Sequence, residues 1–139
     1  MDTVIIAIDG QASTGKSTQA KKLAENLKYD YRDSGAYYRA ITLYLLDNNI
    51  KLDQNISDKI LDNINIKQTY EGRKFSIYLN DNDVTNKIRG YKVSSNVSNY
   101  AKKTEIRKFV FNQLRKSGES NSLVVDCLLY TSPSPRDLH

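Results

Sequence analysis

Eight consecutive residues constrain this chain more than any others. Gly10-Gln11-Ala12-Ser13-Thr14-Gly15-Lys16-Ser17 places two glycines five positions apart and follows the second with a lysine and a hydroxyl residue. The pattern is G-x-x-x-x-G-K-[ST], and its surroundings are the ones it requires. Before it, Val4-Ile5-Ile6-Ala7-Ile8 is a continuous apolar run, expected to be a strand buried on both faces as in a parallel sheet. After it, Ala20, Leu23, Ala24 and Leu27 recur at i, i+3, i+4 and i+7, predicting an amphipathic helix over Lys16–Leu27. Glycines let the backbone curl so that successive N–H groups point inward, and the helix start adds its own unsatisfied amides and positive dipole end. Such a cradle suits a polyphosphate. Lys16 supplies a mobile charge for the β- and γ-phosphates, and Ser17 a hydroxyl for Mg²⁺.

The rest of the chain extends that unit. Tyr29–Arg32 reads as a second strand, Asp33-Ser34 as a helix N-cap, and Tyr37, Ala40, Ile41 and Tyr44 as one face of a helix over 36–46. Strand, helix, strand, helix at this spacing predicts βαβ units and an α/β class. The middle differs. Ser57 can cap a short helix carrying Ile60, Leu61 and Ile64. Ile66–Tyr70 and Lys74–Leu79 flank Glu71-Gly72-Arg73, a hairpin signal, and Asn80–Asp83 forms a second turn. Val93, Val97, Tyr100 and Ala101 predict one helix, and Ile106, Phe109, Val110 and Leu114 another after Thr104. Lys116–Asn121 reads as loop and Leu123–Asp126 as a third buried strand. The expected organisation is a parallel-sheet core (1–47 and 102–126) interrupted by a small insert (48–101).

Composition narrows the class. The chain has 139 residues, 27% of them charged, and a net charge of +5, in keeping with a single soluble domain that binds anions. No stretch approaches the ~18–20 apolar residues of a spanning helix, so no membrane partner is expected. The lysines occur as scattered pairs such as Lys21-Lys22 and Lys102-Lys103 without interleaved aromatics, which argues against a nucleic-acid polymer as partner. One cysteine cannot form an internal disulfide, and no secretory signal opens the chain, so the cytoplasm is the expected compartment.

Asp33-Ser34-Gly35-Ala36-Tyr37-Tyr38-Arg39 falls where the second strand should end, on the edge of the sheet that also carries the glycine loop. A helix start with Ser34 and Arg39 suits a second phosphate-bearing molecule. Taken together, IIAIDG-QASTGKST-QAKKLA, DSGAYYRA, the hairpin and DVTNKIR resemble the bacterial cytidylate (CMP) kinase family over residues 3–126, about the first half of a family member. The D-[ST]-G-A-x-Y-R signature is matched in full, with Tyr37 at its variable position.

The resemblance implies a P-loop nucleoside monophosphate kinase fold, a three-layer parallel sheet that is truncated here, with 48–101 as a hairpin-containing monophosphate-binding insert. It implies transfer of the ATP γ-phosphoryl group to CMP or dCMP, with Mg²⁺, by a monomer. Gly10, Gln11, Ala12, Ser13, Thr14, Gly15, Lys16, Ser17 and Thr18 would then hold the ATP phosphates, Gln11 replacing a frequent proline. Asp33, Ser34, Tyr38, Arg39, Ser98 and Arg107 would serve the acceptor nucleotide, with Ser98 near the cytosine. Lys16, Arg39 and Arg107 would stabilise the transferring phosphoryl group. Ser17 would bind Mg²⁺, and Asp126, matching the first aspartate of a D-G-R-D segment, would order a water on it. The family continues beyond that point with further strands and an arginine-rich lid, so this chain by itself is expected to show little or no turnover. Two alternatives remain at this stage: another P-loop kinase of a small metabolite, and an ATP-binding module without catalysis.

The last thirteen residues differ in kind. They hold both prolines (Pro133, Pro135), the cysteine (Cys127) and the histidine (His139). Cys127–Asp137 resembles, in a single frame, the translation of a transposon-type sequencing adapter. Residues 127–139 are therefore expected to be a non-native read-through tail, excluded from fold reasoning.

Overall fold

A computed structural model describes residues 2–10 and 15–128. The chain forms two compact units, one from the described residues of Met1–Gly35 and Val110–His139, the other from Ala36–Phe109.

The first unit is built on a three-stranded parallel sheet of β1 (Ile5–Gly10), β2 (Asp30–Asp33) and β6 (Leu123–Leu128), in the order β1-β6-β2. Parallel neighbours cannot be joined by a tight turn, and α1 (Lys16–Leu27) makes the crossover between β1 and β2. The register pairs Ile8 of β1 and Asp33 of β2 with Asp126 of β6, so all three strands end on one edge. Leu123, Val124 and Val125 are completely buried, as the apolar run of a central strand predicts. The first strand departs from expectation. Val4 and Ile5 are 48% and 41% exposed, because β1 pairs only with β6 among the described residues and lies at the sheet edge. The third strand also runs two residues beyond Asp126, through Cys127 and Leu128. The remaining tail, 129–139, lies outside the described residues.

Small residues carry the contact of α1. Ala20 and Ala24 are buried, Leu23 is half-buried and Leu27 is exposed, so the expected leucine stripe is displaced by close packing at alanine. Lys28 adopts a left-handed conformation (φ 60°), and Tyr29 N–H bonds back to the Ala24 carbonyl, closing the helix. The last helix, α6 (Thr104–Ser120), continues through the segment expected to be loop. Gly118 explains the difference. It lies against Ile5 and Leu123 without a side chain between, and Thr3 donates its hydroxyl to the Gly118 carbonyl. Packing there outweighs poor glycine and serine propensity.

The second unit holds an antiparallel sheet, β3 (Ile66–Glu71), β4 (Lys74–Leu79) and β5 (Asn82–Asp83), in sequential order. Two-residue turns join them. Gly72 and Arg73 have φ of 56° and 68°, Asn80 and Asp81 of 48° and 69°, the paired left-handed geometry that matches strand twist. Around the sheet lie most of α2 (Ser34–Asp47), the short α3 (Asp58–Leu61), a 3-10 turn (Lys87–Arg89), and α4 (Tyr91–Ser94) and α5 (Val97–Ala101). The single helix expected over 93–101 is thus two. Asn96 interrupts it, its amide side chain donating to the Lys92 carbonyl and competing with the helical ladder.

Candidate active site

The carboxyl edge of the parallel sheet collects the chemistry of the first unit. Gly10 ends β1, and Gln11–Thr14 lie outside the described residues. Gly15 stands as the N-cap of α1 at φ 72°, a left-handed conformation that suits glycine, and it offers no side-chain cap to the first amides. The positive end of this 12-residue helix therefore lies at Gly15. Thr18 is exposed on the first turn.

Lys16 does not extend into solvent. It is 5% exposed, its Nζ donating to the Cys127 carbonyl at 2.7 Å and forming an ion pair with Asp126 Oδ1. Asp126 is 1% exposed, and its other oxygen, Oδ2, accepts from Ser17 Oγ at 2.7 Å and from Tyr31 Oη at 3.1 Å. The two hydroxyls are 3.4 Å apart. A carboxylate this deep costs several kcal/mol to desolvate unless paired and hydrogen-bonded, and here a cation and two O–H donors surround it. The Tyr31 phenol is pushed upward, first by burial and then by Asp33, and stays a donor across the physiological range. Cys127 is raised to about 12, chiefly by burial and next by Asp9, so its sulfur stays a thiol.

At the end of β2, Asp33 Oδ1 accepts from the Gly35 N–H at 2.9 Å, capping α2 as the sequence suggests. Ser34 is buried, and its Oγ donates to the Asp126 main-chain carbonyl at 3.0 Å. Lys16, Ser17, Ser34 and Asp126 thus come together in one unit. Tyr38, Arg39, Ser98 and Arg107 belong to the other, on α2, α5 and α6. There Arg39 Nη1 donates to the Ile88 carbonyl at 2.9 Å and to Ser94 Oγ at 3.0 Å, which fixes the direction of its guanidinium. Tyr38 is half-buried, Ser98 exposed and Arg107 half-buried.

Sequence reasoning missed two participants. The sequence marks Tyr31 only as a strand residue, although a tyrosine in a buried strand needs a partner for its hydroxyl, and that is the available signal. The Cys127 carbonyl carries no signal at all, being main chain.

Ser17 Oγ and Asp126 Oδ2 are hard oxygen donors of the kind Mg²⁺ takes, so the residues present fit that ion. Among the described residues there is no group of three His, Cys, Asp or Glu that could hold a metal ion.

Comparison with known proteins identifies the family. The family model described as cytidylate kinase matches residues 6–128. A cytidylate kinase of Fusobacterium nucleatum is 45% identical over 127 residues, covering 91% of this chain and 56% of that protein. Those of Halalkalibacterium halodurans and Flavobacterium psychrophilum are 39% and 41% identical, each again over 91% of this chain and over 57% and 58% of their own lengths. The chain therefore spans a little over half the length of these curated relatives. With its phosphate-loop spacing, parallel sheet and matched length, the chain belongs to the cytidylate kinase family.

Proposed function

We propose that the intact protein corresponding to this chain transfers the γ-phosphoryl group of ATP to CMP or dCMP, giving ADP and the corresponding diphosphate, and that the chain alone has little or no turnover. The observation that carries this reading is the meeting of Lys16, Ser17 and Asp126 at the carboxyl edge of the parallel sheet, beside the glycine loop. Family membership supplies the acceptor class.

Phosphoryl transfer leaves little covalent work to side chains, since the acceptor phosphate is already anionic. The protein's tasks are in-line positioning and compensation of charge on the transferring oxygens. In this reading Lys16 leaves Asp126 and the Cys127 carbonyl to follow the β- and γ-phosphates. The α1 amides hold the phosphate chain. Ser17 would hold Mg²⁺ directly and Asp126 through water; when bound, the ion neutralises β- and γ-oxygens. Asp33 and Ser34 shape the start of α2 toward the acceptor, while Tyr38, Arg39, Ser98 and Arg107 bind it, and Arg39 and Arg107 also compensate its charge. The same reading makes the protein a cytoplasmic monomer acting on free nucleotides. No helix among the described residues is long and apolar enough to cross a membrane.

A coupled ADP-release assay with CMP, dCMP, AMP, UMP and dTMP as acceptors tests the proposal, with calorimetric ATP titration as its binding arm. Saturable ATP binding by this chain, with little or no turnover, and release stimulated by CMP or dCMP in a chain of the relatives' full length are the expected results. ATP binding with equal stimulation by every acceptor would overturn the pyrimidine assignment, and no ATP binding would overturn the phosphate-loop reading.

A further inference from the structure

The least accounted-for group in the first unit is Tyr31. Its phenol is buried (5% exposed) and its ring lies 5.6 Å below the Lys21 ammonium on α1, a cation–π contact that fixes the ring. In the β2–β6 ladder Tyr31 pairs with Val124, and side chains two apart on a strand share a face, so Asp126 is its diagonal neighbour. The hydroxyl lands on Asp126 Oδ2, the same oxygen that accepts from Ser17.

We propose that Tyr31 is a positioning residue for the divalent-cation site: its hydroxyl holds Asp126 in the orientation that takes the Ser17 proton, leaving the Ser17 oxygen turned outward for a nucleotide-bound cation. This rests on the phosphate-loop reading above. Asp126 has two kinds of support. Lys16 forms an ion pair with Oδ1, while Ser17 and Tyr31 hydrogen-bond to Oδ2. When Lys16 turns to the phosphates, the first support is withdrawn, and the buried carboxylate then depends on the two hydroxyls. A phenylalanine would keep the ring under Lys21 but leave Ser17 as the one remaining donor of the pair. Asp126 could then rotate about its side chain, and Ser17 would lose its fixed acceptor. Tyr31 thus matters most when a cation is present.

Outer-shell partners of metal ligands are typically worth 10–100-fold in metal affinity. The test compares ATP affinity of the wild-type and Tyr31→Phe chains by calorimetry, once with excess Mg²⁺ and once with a chelator. The expected result is that the Mg²⁺-dependent gain in ATP affinity falls about tenfold in Tyr31→Phe, while metal-free ATP affinity stays within about twofold. A merely structural role would lower both affinities alike, and that outcome overturns the proposal, as does no change in either titration. Absence of ATP binding by the wild-type chain would overturn the phosphate-loop reading and the Tyr31 role together, a result distinct from failure of Tyr31 alone.

Discussion

Lys16, from the first turn of α1, donates to the main-chain carbonyl of Cys127, a residue 111 positions later on β6, and in the same pose pairs with Asp126. This contact ties the phosphate loop to the central strand. Breaking a buried pair by removing one partner leaves an uncompensated charge. Lys16→Met is therefore expected to lower unfolding stability by about 3 kcal/mol, read from urea denaturation. Adding Asp126→Asn should recover much of that loss, because the buried charge left behind by Lys16→Met is then removed. A single variant as stable as the wild type would show that the pair contributes nothing.

Cys127 offers a chemical probe of the same strand. The thiol is 7% exposed and raised from 9.0 to about 12, so thiolate is scarce at neutral pH. Reaction with a disulfide reagent at pH 8 should be far slower in the folded chain than in urea. The sign of the linkage follows. The folded-state value lies above the unfolded one, so the associated stability is complete below pH 9 and is lost as pH rises toward 12. Rapid labelling of the folded chain would contradict the burial.

The hairpin between β3 and β4 makes a paired prediction. Gly72 and Arg73 both occupy the left-handed region, where a side chain costs roughly 1 kcal/mol. Gly72→Ala should lower the thermal midpoint, with a loss of about 1 kcal/mol, whereas Arg73→Gly should gain a few tenths, unfolded-state entropy offsetting part of the relief. The same sign for both substitutions would reject the turn geometry.

Gly118 and Ile5 should be coupled. A Cβ built on Gly118 would come within 2.6 Å of Ile5 Cδ1 and 2.8 Å of Cγ1. Ile5 is half-exposed at the sheet edge, so it can turn aside, but at some cost. In an Ile5→Ala background Gly118→Ala should stabilise by about 0.5–1 kcal/mol, the ordinary helix gain of alanine over glycine. In the wild-type background the gain should shrink or change sign. Equal effects in both, measured as a double-mutant cycle, would mean that the two residues do not press on each other.

Much of the architecture was legible locally. The hairpin turns could be read from Gly72 and from Asn80–Asp83, because left-handed φ suits glycine, asparagine and aspartate, although Asn82–Asp83 pairs with β4 as a short strand rather than turning. The central strand could be read from Leu123-Val124-Val125, because burial on both faces requires an unbroken apolar run. The misread elements are those in which a neighbour overruled propensity. Lys116–Ser120 looks like a loop by composition, and packing of Gly118 on Ile5 keeps it helical. Residues 93–101 look like one helix by periodicity, and the Asn96 side chain divides it.

The sequence by itself determined the phosphate-loop motif and its setting, since Gly10, Gly15, Lys16 and Ser17 act through adjacent backbone geometry and one helix start. Only the tertiary structure decided that Asp126 lies between Lys16 and Ser17, that Tyr31 donates to it, and that Lys16 rests on a main-chain carbonyl. Those relations depend on β6 entering between β1 and β2, and parallel pairings between segments this far apart in sequence leave no periodic trace along the chain.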